Sequence, residues 1–339
     1  MAPLQYILQV ALSLPPVLSF LAGLTFLDSY KLVRLRAIMA AILAGCAVAV
    51  LSMVSNIGLM NFLQLQFPIY SRYVAPIVEE TLKSAYLVYL LKSKRLGFMV
   101  DAAIYGFAVG AGFACLENIY YLQTLSDSNM FIWLIRGFGT AIMHGGTTAV
   151  FGMLSKGIAD RTPSEKLTMF LPGWLIAVGI HSFYNHFFFS PLVSTVVIVL
   201  VLPTVMMAVF NKSERSLESW LGVGFDADQE LLQLINSGKL SDTPVGVYLQ
   251  TLQSRFPGEV MMDMICLLRL HLELSILGKG ILLMRQAGFE VPPSPDVREK
   301  FEELRYLEKS IGTTGKLAIH PFLQASSRDL WQLHMLKEK

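Results

Sequence analysis

Between Leu4 and Phe210 the chain reads as a series of apolar windows, each closed by a short polar or basic stretch. A helix rises about 1.5 Å per residue and a bilayer core is about 30 Å thick, so apolar windows of about 20 residues predict transmembrane helices. They fall at Leu4 to Leu27, Ala37 to Met60, Tyr73 to Leu91, Phe98 to Leu122, Met130 to Ser155, Leu167 to Phe189 and Pro191 to Phe210, about seven spans. The first window has Lys31, Arg34 and Arg36 after it and no basic leader before it, so it reads as a retained span and not a signal peptide. From Asn211 the pattern turns amphipathic, predicting helices near Asp226 to Asn236, Thr243 to Phe256, Glu259 to Ala287, Asp296 to Ser310 and Ala325 to Lys337. Ser237-Gly238, Phe256-Pro257-Gly258 and Val291-Pro292-Pro293-Ser294-Pro295 punctuate them. The expected fold is all-α: a polytopic transmembrane helical bundle over 1–210 and a C-terminal cytoplasmic helical domain over 211–339.

Composition agrees with that class, at 54% hydrophobic and only 15% charged residues. Residues 1–210 carry 12 basic and 8 acidic side chains, and the remainder carries 15 and 17, a balance that does not suggest nucleic acid as a partner. The basic residues cluster in alternate loops: Lys31, Arg34 and Arg36; Lys92, Lys94 and Arg95; Lys156, Arg161 and Lys166; Lys212 and Arg215. The intervening loops hold little more than Arg72 and Asp127. Basic loops stay cytoplasmic, so the N-terminus is expected outside and the C-terminus inside, in a multi-pass protein of a plasma or inner membrane. Cys46, Cys115 and Cys266 are dispersed and form no CxxC pair, and they read as buried apolar side chains without metal or disulfide.

Against this background the polar residues inside the windows stand out. Glu79-Glu80-Thr81-Leu82-Lys83 puts three ionisable groups in five residues of the third window. A charge at the bilayer centre costs roughly 2.5 to 3.5 kcal/mol on insertion scales, so such groups persist where they pair, line a wet cavity or do chemistry. Glu79 and Lys83, Glu117 and Tyr121, and His181 and Asn185 are each spaced i, i+4 on three different windows, and residues at that spacing share a helix face. His144 lies within the fifth window. With the orientation read from the loops, Glu79, Glu117 and His181 sit at one level, roughly 8 to 12 Å below the outer surface. Four helices can therefore converge on one polar centre.

These residues resemble the PrsW-type intramembrane proteases, relatives of the CAAX-processing proteases. That family's Glu-Glu-x-x-Lys motif is matched by Glu79, Glu80 and Lys83. Its Phe-Glu-x-x-x-Tyr motif is matched by Glu117 and Tyr121, with Leu116 in the Phe position. Its membrane histidine resembles His144 in Met143-His144-Gly145-Gly146, and its His-x-x-x-Asn motif is matched by His181 and Asn185. The resemblance spans about residues 70 to 190 and says nothing of the tail after Asn211. It implies site-specific proteolysis of a membrane-anchored, single-span protein, in some members an anti-sigma factor, near the outer membrane face.

Peptide hydrolysis needs a water activated by a base and donors for the oxyanion. One assignment makes Glu79 the base, Glu80 and Glu117 the groups that hold or tune the water, His181 and Asn185 the oxyanion donors, and Tyr121 and His144 the orienting or proton-exchanging groups. A zinc reading draws on Glu80, Glu117, His144 and His181 as ligands, although no His-Glu-x-x-His signature is present. The sequence leaves the metal-free and zinc mechanisms open. Plainer roles stand beside these: an ion pair for Glu79 and Lys83, helix packing for Glu117 with Asn118, a close helix crossing at His144-Gly145-Gly146, and core packing for His181 and His186. Arg136 reads as a snorkelling residue and Asp101 as a partner of Lys94 and Arg95. His271, His320 and His334 share no ligand spacing. Two other function classes use the same cluster: a proton- or ion-coupled transporter, against which stand the missing internal repeat and the single depth, and a noncatalytic scaffold for a partner's transmembrane helix. The domain over 211–339 is expected to bind a cytoplasmic regulator or to serve self-packing.

Overall fold

The computed structural model describes residues 3–125, 129–161, 166–289, 291, 296–323 and 327–337. Asp127, the proline run at 292–295 and the start of the last predicted helix at Ala325 lie outside them. Among the described residues every regular element is helical. The chain divides into two compact units, Met1–Ser213 and Glu214–Lys339.

In the first unit the opening window is two helices, α1 (Pro3–Ser13) and α2 (Pro15–Phe26), because Pro15 and Pro16 bring no N–H to the preceding turn. There follow α3 (Leu35–Leu63), the short α4 (Phe67–Ile69), a π turn at Tyr70–Val74, α5 (Ala75–Lys92) and α6 (Met99–Thr124). Then come α7 (Met130–Leu134), a second π turn at Ile135–Thr140, α8 (Ala141–Ala159), a 3-10 turn at Leu167–Phe170 and α9 (Leu171–His186). Among the described residues five stretches are long and apolar enough to cross a membrane: Leu4–Phe26, Leu35–Leu63, Met99–Thr124, Leu167–His186 and Pro191–Asn236. The windows expected at Tyr73 to Leu91 and Met130 to Ser155 do not qualify by that measure. The first carries Glu79, Glu80 and Lys83, with Lys92 closing α5 just past it, and the second is diluted by glycine, threonine, Arg136 and His144, with Lys156 just past it. These are the two segments that hold much of the polar cluster.

The centre of this unit is α6, whose most apolar 18-residue window is 78% buried against 28% for α3. Between membrane helices lipid supplies no hydrophobic drive, so small residues that let backbones approach decide the packing. Gly112 faces the Ile42 carbonyl of α3, and Gly110 faces the His144 carbonyl of α8, each too closely for a Cβ to fit. Phe107, Ile104, Ala108 and Ala149 fill the layer between them. At the other end of α6, Asp101 accepts from the Gly97 N–H (2.8 Å) and the Phe98 N–H (3.3 Å). That corrects the expected pairing with Lys94 and Arg95: the carboxylate satisfies the free N–H groups at its own helix start.

The seventh window does not stop at Phe210. It is one helix, α10 (Pro191–Asn236), because no proline interrupts Asn211 to Asp226 and its Glu, Lys, Leu and Arg favour a helix enough to carry Gly222 and Gly224. The second unit continues with α11 (Pro244–Leu252), α12 (Gly258–Gln286), α13 (Val297–Ile319) and α14 (Ser327–Lys337). α13 outruns its expected end at Ser310, bending at Gly312, whose φ of 65° suits glycine. Its core gathers Met264, Leu267, Leu274, Phe301, Leu304 and Ile311 about α12. Within that core Lys279, 1% exposed, pairs with Asp228 at 2.7 Å, and Ser275 donates to the same carboxylate oxygen at 2.6 Å.

Candidate active site

Two helices that carry site residues are each preceded by a π turn. The Tyr70–Val74 turn ends one residue before α5 with the Ala75 N–H on the Tyr70 carbonyl, and Glu79 follows one helical turn on. The Ile135–Thr140 turn ends with the Ala141 N–H on the Arg136 carbonyl, and His144 follows. A π turn takes in an extra residue and resets the direction in which the next side chains point, which is why such turns recur at functional sites.

Glu80 is the hub, at 2% exposure. Its Oε1 accepts from Lys83 Nζ at 2.6 Å and from Thr147 at 3.2 Å, and it lies 2.8 Å from His181 Nδ1. A carboxylate only accepts, so His181 carries its proton on Nδ1 and presents the Nε2 lone pair, 3.8 Å from Glu79 Oε2. Lys83 Nζ also reaches His144 Nδ1 at 3.0 Å. An ammonium only donates, so His144 accepts there and carries its proton on Nε2, which faces Glu117 Oε2 at 3.3 Å. The same Glu117 oxygen meets Arg136 at 3.1 Å. Arg136 stacks 3.8 Å over the Tyr121 ring and donates from Nε to Asn118 at 2.9 Å, and Asn118 in turn donates to the Ser13 carbonyl. Glu80 with Lys83 and Glu117 with Arg136 are thus each set against an opposite charge, as burial in a low-dielectric bundle demands.

Three of these groups can take a metal. One ligand atom each from Glu79, His144 and His181 lies within 4.8 Å of the other two. Two imidazoles and one carboxylate are an ordinary donor set for catalytic zinc, which keeps a fourth position open. The Glu80–His181 hydrogen bond is the outer-shell arrangement that fixes a ligand histidine's tautomer.

A family model described as PrsW family intramembrane metalloprotease matches residues 33–210, more than half of the chain. The chain belongs to the PrsW family. No curated protein and no solved structure matches it. It is therefore an intramembrane protease, a hydrolase of an integral membrane protein class whose family is described as metal-dependent.

In this PrsW protease, Glu79, Glu80, Lys83, Glu117, Tyr121, His144 and His181 stand in one connected cluster, from α5, α6, α8 and α9. Asn185 stands apart from that chain of contacts: its amide donates to the Ser71 carbonyl at 2.9 Å. Glu80 and Glu117, read as ligands from sequence, have their closest partners among the surrounding side chains, whereas Glu79 joins the two histidines. Arg136 is not a snorkelling residue. It is 14% exposed and paired with Glu117, because α6 brings a carboxylate to its level. Asn56, whose amide donates to Glu79 Oε1 at 3.2 Å, and Tyr70, whose hydroxyl donates to Asn56 at 2.9 Å, had no motif to mark them. An asparagine within the apolar run of α3 was the available signal. His186 packs as expected, stacked on Phe188 at 4.9 Å and bonded to the Ser182 carbonyl.

Proposed function

We propose that this PrsW protease is a zinc enzyme that cuts a single-span, membrane-anchored protein near the outer membrane face, with Glu79, His144 and His181 holding the metal and Glu117 as general base. The observation that carries the reading is the Glu79, His144 and His181 cluster within 4.8 Å. A zinc ion held by these three residues would lower the pKa of a bound water toward neutrality and polarise the scissile carbonyl. Glu117 has one oxygen held by Arg136 and is 26% exposed, so it can take a proton from water as the C–O bond forms. It then returns that proton to the amine that leaves as the C–N bond breaks. For His144 to hold the metal through Nε2 its proton would sit on Nδ1, supplied by Lys83 Nζ at 3.0 Å, while the Nε2 proton would leave through Glu117 Oε2 at 3.3 Å before that carboxylate acts as base. Tyr121, whose hydroxyl has no hydrogen-bond partner among the described residues, is assigned to the oxyanion. Glu80 and Lys83 orient the two histidines. The chain sits in a plasma or inner membrane with the N-terminus outside, and residues 211–339 offer a cytoplasmic regulator its surface; the distribution of basic loops supports this orientation.

The test is cleavage of single-span proteins by the full chain in lipid, comparing wild type with Glu117→Gln, Glu79→Gln and His181→Ala, each with a strong chelator and zinc add-back. Loss of cleavage in all three variants, together with chelator inhibition reversed by zinc, is expected. Cleavage that survives the chelator but not Glu79→Gln would replace this reading with the metal-free mechanism in which Glu79 is the base.

A further inference from the structure

Asn185 and the first π turn answer each other. Pro76 brings no N–H to the turn before it, so the carbonyls of that turn need donors from elsewhere. They come from α9: Ser182 Oγ donates to the Arg72 carbonyl at 2.6 Å and Asn185 Nδ2 to the Ser71 carbonyl at 2.9 Å. Ser182 and Asn185 lie one residue and one turn beyond His181, so the helix that supplies one candidate ligand also grips the segment that aims another. The residue that opens the turn, Tyr70, is 3% exposed and donates to Asn56 Oδ1 at 2.9 Å. Asn56 Nδ2 then donates to Glu79 Oε1 at 3.2 Å, leaving Oε2 toward His181. Two routes, one through backbone carbonyls and one through side chains, thus run from the turn to Glu79.

We infer that Ser182, Asn185, Tyr70 and Asn56 form a positioning frame that locks the Tyr70–Val74 turn and sets the Glu79 carboxylate, and that Asn185 serves this frame and not the oxyanion. The inference rests on the zinc reading for what Glu79 holds, but the frame itself is a matter of hydrogen bonds. Asn185 donates to a main-chain oxygen on the far side of the turn, so it has no need of substrate to be satisfied. Tyr70 is a positioning residue that acts on Glu79 only through Asn56.

The experiment uses the full chain in lipid nanodiscs and follows three quantities: zinc affinity against a competing chromophoric chelator, hydrogen exchange of the peptide over 67–79, and kcat and KM on a cleaved single-span protein. Outer-shell changes of this kind typically cost 10- to 100-fold in metal affinity, so Asn185→Ala and Tyr70→Phe are each expected to weaken zinc by about tenfold or more. The double variant is expected to lose less than the product of the two, as coupled sites do. Asn185→Ala and Ser182→Ala are expected to speed exchange over 67–79 and to lower kcat with KM unchanged. Tyr70→Phe removes one oxygen and keeps the ring, and so carries the test if Asn185→Ala fails to fold. Asn185→Ala with wild-type zinc affinity and exchange but a low kcat would overturn the inference and return Asn185 to the oxyanion. A wild-type chain that binds no zinc, with exchange still faster in Asn185→Ala and Ser182→Ala, would sink the zinc reading while the frame stands.

Discussion

At the scale of single residues the site is a set of charges that stabilise one another only as a set. Glu80 bonds to Lys83, Thr147 and His181 through one oxygen, and Lys83 has no exposure at all. Removing one member of a buried pair leaves the other uncompensated, which costs about 3 to 5 kcal/mol. Glu80→Gln is therefore expected to lower the unfolding midpoint strongly and to abolish cleavage, as the amide no longer neutralises Lys83 and no longer fixes the His181 tautomer. Glu80→Gln combined with Lys83→Met is expected to regain most of the lost stability and none of the activity. Thermal unfolding and a cleavage assay on the same preparations separate the two effects; equal instability in the single and double variants would show that the pair does not stabilise the bundle. The motif residues Glu79, Glu80, Lys83, Glu117, Tyr121, His144 and His181 were legible because a charge in an apolar window needs a reason. Arg136 was not, since an arginine near a window's end has an ordinary explanation until the carboxylate that meets it is located. Glu79 and Glu80 show a second limit: adjacent residues on a helix point about 100° apart, and only the placement of α9 decides which bonds His181 at Nδ1 and which lies toward its Nε2.

At the scale of elements the site depends on how closely α6 and α8 approach. Gly110 meets the His144 carbonyl where a Cβ would collide with main chain, and Gly106 meets the Thr148 carbonyl at 2.6 Å from an ideal Cβ position. Main chain cannot yield as a flexible side chain can. Gly110→Ala is expected to cost about 1 to 3 kcal/mol by overpacking and to lower cleavage by displacing His144. Gly179→Ala on α9, where a Cβ meets nothing within 4 Å, is the matched control and is expected to be neutral or slightly stabilising. Unfolding midpoints of the two variants in one lipid composition decide it, and a neutral Gly110→Ala would mean the helices can part without harm. Of the glycines at this crossing the sequence marked Gly145, next to His144, where a Cβ would meet the Phe107 ring; Gly110 and Gly106 on α6 carried no motif. The two π turns were not visible in sequence, because i→i+5 bonding leaves no compositional mark, and Pro76 is ordinary within the first turn of a helix. The same holds for the length of α10: hydropathy falls after Phe210, but falling hydropathy does not end a helix.

At the scale of the whole molecule the two compact units have separate cores, and their titratable groups belong to them. The second unit is built around α12, and His271 on that helix is held below its ordinary value of 6.5 because burial disfavours the imidazolium, against the opposing pull of Asp329, Asp228 and Glu308. A base whose pKa is lowered on folding is protonated first in the unfolded chain. Well above pH 6.5 both states are neutral at this residue, and it contributes no dependence on pH. As pH falls below 6.5 the unfolded state takes up the proton that the fold resists, so stability drops until the folded state is protonated too. Amide exchange over α12 and α13 is therefore expected to be faster at pH 5 than at pH 7 after correction for intrinsic rates. His271→Gln, which keeps a polar side chain and cannot titrate, is expected to flatten that difference. If the wild-type difference persists in His271→Gln, the pH response belongs to another group.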